Sequence, residues 1–513
     1  MSEEKKTTSV NRAKIYQLVL FPMNNGATNV YYILTMNFIA YYANGVLGLL
    51  LMFATTMVTV MRLFDAVTDP IIGALIDRTS TKFGKFRPYM VLGNVIMIVS
   101  SLLLYFGTRI ISPDLEWLRY VCFVLFYALY VIGYTFQTAC TRSGQTCLTN
   151  DPKQRPLFTV FNTIASLIGM GLVQFLAPIL SEKLGGYNSA AFFDFMIPLA
   201  IVVSAVLTLL AVIGIWEKDR PEYFGVGNQQ EKVKIKEYVA ILKANKELQR
   251  LMVAGAGCKL AFSIATNMTV LCMLYGAMMG NYNGLYLPMM IVGYVFSVPF
   301  FLLTVRTSQK HGQKASLVRY TTLALIMYVG VLVLLLFWKQ GNPAFNLSLS
   351  SINIYSILFI LCFGIGYGAY YATADMPIPM VADCSDYETY RSGRYIPGIM
   401  GTLFSLVDKL VSSLGSTIVG AAVAAIGIQT LPDGNTPYAE GMHGVVVILF
   451  CVVPMLAWIA TLIAMKGYSL TGARMKEIQA VNAVRKDGIS KGMTLEEAME
   501  TWQTLEDVPE EFR

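Results

Sequence analysis

The chain alternates between long apolar blocks and short polar breaks. A membrane-crossing helix needs about 20 apolar residues. Blocks of at least that length recur at 17–42, 46–76, 88–108, 118–148, 157–181 and 191–216, then at 249–277, 282–305, 317–338, 350–381, 397–427 and 442–466. The pattern predicts twelve transmembrane helices, several of them tilted or extended beyond the bilayer. The polar interval 217–248 divides six spans from six. The expected organisation is an N-terminal segment (1–16), a first six-helix bundle (17–216), a linker (217–248), a second bundle (249–466) and a tail (467–513). The second part of the linker has helical periodicity with basic residues facing one way, as in a surface helix. The tail contains TLEEAMETW from Thr494. A Thr followed three residues later by Glu is a capping-box start for a short soluble helix.

Composition agrees with a membrane protein. Of 513 residues, 55% are hydrophobic and only 14% charged, whereas soluble domains carry about 25% charged residues. A net charge of +7 would hint at nucleic acid in a soluble chain. Here membrane orientation explains it. The odd connections hold Arg109, Arg119, Lys183 and Lys339. The even connections and both ends hold Lys5, Lys6, Arg12, Lys14, Arg78, Lys82, Lys85, Arg87, a group from Lys218 to Arg250, Arg306, Lys310, Lys314, Arg319 and a basic tail. Basic residues favour the cytoplasmic side, so both termini are expected there, in a multi-pass protein of the plasma or inner membrane.

Several function classes drop out. The eight cysteines form no CxxC, and only His311 and His443 are available, which leaves no disulfide framework, zinc site or histidine-centred enzyme. The first apolar block lacks a small-residue cleavage site, so no signal peptide is expected. No GxxxxGK[ST] occurs, which disfavours an ATP-driven pump. No cofactor and no nucleic-acid partner are expected, and the chain reads as a monomer.

The loop after the second block reads RTSTKFGK from Arg78, and the loop after the eighth reads RTSQKHGQK from Arg306. The shared R-T-S-x-K-x-G recurs 228 residues later (306 − 78) in the matching loop of each half. Such a repeat implies two six-helix halves in parallel topology, with binding at their interface near the midplane.

Ionisable groups inside spans cost about 2.5–3.5 kcal/mol each, so each needs a reason. They are Arg62, Asp65 and Asp69 in span 2, Arg142 in span 4, Asp375 in span 10, and Asp408 with Lys409 in span 11. Lys259 and Asp383 fall near cytoplasmic ends and read as interfacial. Arg62, Asp65 and Asp69 are three and four residues apart and share a helix face. Two carboxylates one turn apart in a low-dielectric cavity repel, and desolvation disfavours the charged form of both. A bound Na⁺ or H⁺ relieves that cost, and Thr68 adds an oxygen between them. The structural alternative has Arg62 neutralise Asp65 while Asp69 braces the loop; Asp77 and Arg78, at the cytoplasmic edge, suit bracing better.

The stretch DAVTDPIIG from Asp65, with GKFRP from Gly84, resembles the glycoside–pentoside–hexuronide:cation symporters of the major facilitator superfamily. The likeness continues through Tyr134-Thr135, DPKQR from Asp151, VADCSDYE from Val381 and Asp408-Lys409, covering roughly residues 14–466. It implies an all-α major facilitator fold and a cation site of Asp65, Asp69 and Thr135, with Thr68 where the family has Asn. It also places Lys409 near that site. The sugar-binding acids of the family's melibiose-transporting member fall on Asn29 and Thr138. Asn25 and Asn29 suit hydroxyl recognition or helix–helix bonding, and Tyr134 and Tyr371 are candidates for stacking on a sugar. Arg142 is either an internal charge partner or a two-pronged clamp for a substrate carboxylate, which would make the substrate a hexuronide. Asp151, Arg155, Asp383, Asp386, Glu388 and Arg391, with Asp77 and Arg78, are expected to act in gating. The implied function is cation-coupled sugar or glycoside uptake by alternating access. The rival is an H⁺ antiporter of the same fold for a non-sugar metabolite or drug.

Overall fold

A computed structural model describes residues 12–79, 81–149, 154–220, 241–394 and 396–512. Among the described residues ten helices of 24–39 residues are long and apolar enough to cross a bilayer, and the bent pair Lys246–Ala265 with Met268–Met278, meeting at 45°, is long and apolar enough when taken together. The expected first span is a broken one. It comprises Ile15–Leu20 (α1), Met23–Ile33 (α2) and π-helical turns at Leu34–Phe38 and Tyr42–Val46. Pro22, which has no N–H to donate, sits at the break between α1 and α2.

Packing divides the chain into one unit of Met1–Gln230 with Gly420–Asn435, and another of Glu231–Val419 with Thr436–Arg513. The hydropathy pattern had assigned 420–435 to the second bundle. In the structure, polar side chains of the first unit satisfy that segment's backbone. Asn44 donates to the Gln429 carbonyl (3.0 Å) and accepts from the Leu431 N–H (2.9 Å), and the Tyr41 hydroxyl donates to the Pro432 carbonyl (2.7 Å).

The first unit contains α3 (Leu51–Arg78), α4 (Arg87–Leu102), α5 (Glu116–Leu148), α6 (Gln154–Leu184) and α7 (Ala190–Ile215). Helices α4 and α5 touch at Gly93 and Gly133. A Cβ on either would stand 2.8 Å from the other's carbonyl oxygen, so only glycine permits this approach. That contact sets the position of α5, which carries Tyr134, Thr135, Thr138 and Arg142. On the membrane edge, the buried Asp219 carboxylate accepts from the N–H groups of Lys85 (2.8 Å), Phe86 (3.0 Å) and Arg87 (2.9 Å), the donors that open α4. An anion at a helix N-terminus satisfies those donors and the local dipole together.

The second unit contains α8 (Lys246–Ala265), α9 (Tyr282–His311), α10 (Gln313–Phe337), α11 (Ile354–Thr373), α12 (Pro377–Ser392), the first part of α13 (Pro397–Ala425), α14 (Val453–Gly467), α15 (Gly472–Ser490) and α16 (Leu495–Thr501). Helix α16 begins with the expected capping box. Glu497 accepts from the Thr494 N–H (2.9 Å), which lowers its carboxyl pKa below the ordinary value. The repeated loops share a backbone feature. Gly84 and Gly312 both take positive φ (105° and 86°), a conformation other residues rarely adopt.

Candidate functional site

Asp65 is completely buried in α3. Arg62, one turn earlier, places Nη1 3.0 Å from Asp65 Oδ2. From α5, the Thr135 hydroxyl donates to Asp65 Oδ1 at 2.9 Å and lies 3.2 Å from the Thr68 hydroxyl. The Thr68 hydroxyl in turn donates to the Asp65 backbone carbonyl (3.1 Å). One carboxylate and two hydroxyls from two helices thus converge in the interior, an oxygen-rich set suited to a hard cation. Among the described residues no group of three His, Cys, Asp or Glu side chains converges in the manner of a transition-metal site.

Asp69 lies one turn further along α3. Its Oδ2 is 3.6 Å from Arg142 Nη1 on α5, and the Arg142 side chain is 65% exposed. The sequence offered two readings of this pair, a cation that relieves its repulsion or an Arg62 that neutralises Asp65. In the structure an arginine stands beside each acid, Arg62 by Asp65 and Arg142 by Asp69. This contact fits the first of the two roles set out for Arg142, the internal charge partner.

A cavity beside Asp65 is lined by Tyr32, Met61, Arg62, Tyr127, Tyr130 and Tyr134 among others. Tyr32 and Tyr134 stack, with ring centroids 6.4 Å apart, and Arg62 lies 5.4 Å from the Tyr32 centroid. Tyr32 and Arg62 were left out of the sugar-site candidates although both line this space. Their signal was available in the sequence, since Arg62 shares a face with Asp65.

The remaining candidates separate by location. Asn29 donates to the Asn25 side-chain oxygen (2.9 Å) and carbonyl (2.8 Å), and Asn25 donates to the Asn162 carbonyl on α6 (3.3 Å). With Asn24, which bonds to Gln137 and Thr141 on α5, this cluster joins helices. Thr138 donates to the Thr135 carbonyl (3.1 Å). In the second unit Tyr371 stacks on Tyr367 (5.5 Å) and Lys409 is buried. Lys259, read from sequence as interfacial, pairs with Asp375 on the connection before α12 and lies 3.8 Å from Asp408 on α13. Three separate blocks each carrying an unexplained charge was the signal for that trio.

Of the gating candidates, Glu388 is buried and accepts from Asn245 (2.9 Å), Arg391 (2.8 Å) and Ser392 (2.9 Å), all in the second unit. These bonds tie the end of α12 to the start of α8. The Asp386 carbonyl accepts from Asn482 of α15 (2.9 Å), and Asp383 lies on the same helix, α12. Arg78 is exposed at the end of α3. Asp151 lies outside the described residues, as do the side chains of Asp77 and Arg155.

A family model for MFS/sugar transport proteins matches residues 21–472. YagG of Escherichia coli K12, provisionally named a glycoside/cation symporter, is 25% identical over 454 residues, spanning 86% of this chain and 89% of that protein. The glucuronide carrier protein homologue of the same organism is 22% identical over 472 residues, spanning 90% and 94%. Among solved structures, a bacterial homologue of the human lysosomal transporter Spinster shares the fold with a TM-score of 0.59 at 13% identity, covering 89% of this chain and 97% of that one.

Proposed function

We propose, from the premise that this chain belongs to the family of MFS sugar transport proteins, that it is a secondary active symporter driving sugar or glycoside uptake with an inward Na⁺ or H⁺ gradient. It is a multi-pass membrane transport protein of the major facilitator fold, not an enzyme. The observation that carries the coupling assignment is the convergence of Asp65, Thr68 and Thr135 oxygens at a buried point, with Asp69 one turn away. A cation there takes over part of the neutralising role of Arg62 and Arg142. Its occupancy thereby changes the energy of the carrier, and coupling follows when each ligand prefers the state the other stabilises. The mechanism is alternating access in a monomer, with both termini cytoplasmic. Tyr134, at the cavity beside Asp65, is a sugar contact, with Tyr32 and Arg62 as neighbours. Asn25, Asn29, Thr138, Tyr371 and Lys409 are further substrate contacts on the family resemblance.

The test is gradient-driven uptake in proteoliposomes carrying Asp65→Cys or Asp69→Cys. Concentrative uptake is expected to be abolished while the protein remains inserted; unchanged uptake by both variants removes the cation-site assignment. A thermal-stabilisation screen over neutral glycosides, pentosides and hexuronides, each with and without Na⁺, identifies the sugar class and the ion.

A further inference from the structure

The two acids of α3 are held very differently. The Asp65–Arg62 pair is buried, 3.0 Å long, and braced by Thr135 and by the Tyr32 ring under the guanidinium. The Asp69–Arg142 pair is longer than a hydrogen bond, at 3.6 Å, and two-thirds of the Arg142 side chain is open. Exposed ion pairs contribute about 0–1 kcal/mol, so this contact exchanges readily. A free carboxylate offers a guanidinium a parallel two-bond geometry that is shorter and stronger.

We propose that Arg142 is shared between Asp69 and a carboxylate on the substrate, so that binding a sugar acid draws Arg142 away and prepares Asp69 for the coupling cation. The proposal rests on the symporter reading above and adds two things to it, a substrate class and a route of coupling. When the carboxylate takes the guanidinium, Asp69 loses that counter-charge beside the carboxylate of Asp65. A cation then restores neutrality. A neutral sugar has nothing with which to draw Arg142 away. Sugar acid and cation therefore bind cooperatively, whereas a neutral sugar and the cation bind independently.

The test uses the purified full chain. Methyl glucuronide, methyl galacturonide and gluconate are compared with methyl glucoside and methyl galactoside. Na⁺ affinity is read from thermal stabilisation at constant ionic strength. Proton uptake on ligand addition is read with an indicator dye in weak buffer. A sugar acid is expected to tighten Na⁺ binding, or to drive proton uptake, with about tenfold coupling, within the usual range for linked sites. Saturating Na⁺ should tighten the acid by the same factor, and the neutral sugars should show less than about twofold coupling on that scale. Arg142→Gln is expected to lose the acid's effect and to bind the cation about tenfold more tightly without ligand, because one positive charge beside Asp69 is gone. Arg142→Lys keeps the charge beside Asp69 but not the fork. It should retain the original cation affinity while binding the acid weakly, which separates the proposal from misfolding.

Equal cation coupling with acids and neutral sugars overturns the shared arginine, as does unchanged cation affinity in Arg142→Gln. Binding of neutral sugars with no binding of any acid also overturns it, yet leaves the symporter intact. No response to any sugar or to either cation sinks the symporter reading itself.

Discussion

Thr135 couples two helices through a single hydroxyl, which donates to Asp65 and faces Thr68. A hydrogen bond to a charged group contributes about 1.5–3 kcal/mol. Thr135→Ala removes that bond and one oxygen of the proposed cation set, whereas Thr135→Ser keeps both. The alanine variant is expected to need about tenfold more cation for half-maximal gradient-driven uptake, equivalent to about 1.4 kcal/mol, and the serine variant no more than about twofold. Comparable curves for both variants would show that the hydroxyl has no part in cation binding. At this scale the acids were legible because a charge in an apolar block stands out. The pairing of Asp69 with Arg142 was not, since it depends on how deep α5 sits beside α3. That depth is a property of tertiary packing, which leaves no trace in spacing or composition. The partners of Lys259 were hidden for a similar reason: hydropathy gives its height to within a few residues but not which neighbouring helix it faces.

The repeated loops share a left-handed glycine, and in the first copy that turn meets a carboxylate. In the first unit Asp219 accepts from three successive N–H groups at the start of α4, and Arg87 Nε approaches it at 3.4 Å. The carboxylate sits so close to Gly84 that a Cβ there would meet Asp219 Oδ2 at 2.1 Å. Asp219→Ala leaves buried donors without an acceptor, each costing about 1–3 kcal/mol. The purified variant is expected to unfold a few degrees lower; the shift is about 2–4 °C per kcal/mol in domains of 150–250 residues and smaller in longer chains. Asp219→Asn, which keeps one acceptor oxygen, should fall between it and the parent. Gly84→Ala should resemble Asp219→Ala, because positive φ and the close carboxylate both oppose it. Equal melting curves for all four proteins would mean the contact does not stabilise the folded state. The repeat and its glycines were readable from sequence, because a left-handed turn restricts residue type. The carboxylate that fills the first copy was not, because it arrives from 134 residues away (219 − 85).

At the scale of the whole chain, the tail is part of the second unit's fold. Met475 and Ile478 of α15 join the same buried cluster as Leu248, Met380, Cys384, Met400 and Met465. Arg485 donates to the Tyr390 carbonyl on α12 (2.7 Å) and to the Trp502 carbonyl (2.9 Å), and the Tyr390 hydroxyl donates to the Gln503 carbonyl (2.7 Å). The capping box of α16 was legible in the sequence, but the docking of α15 was not: Met475, Ile478, Val481 and Val484 recur every third residue and are buried, yet such a stripe does not say which helix it packs against. Ending the chain at Thr471 would uncover this surface and cut three hydrogen bonds to α12, two at Tyr390 and that of Asn482 with the Asp386 carbonyl; this is the segment that carries Asp383, Asp386, Glu388 and Arg391. Burying a Met or Ile side chain is worth about 1.5–3 kcal/mol, so the loss of Met475 and Ile478 alone is large against ordinary domain stability. The truncated protein is expected to show lower yield and a lower melting temperature in detergent. Arg485→Ala should produce part of the same loss, since it removes one of the hydrogen bonds between α12 and the tail while leaving the apolar contacts. A truncation that melts with the parent and transports at the parent's rate would make the tail an appendage. A truncation that melts lower, with Arg485→Ala intermediate, would place the tail among the elements that hold the end of α12 in position.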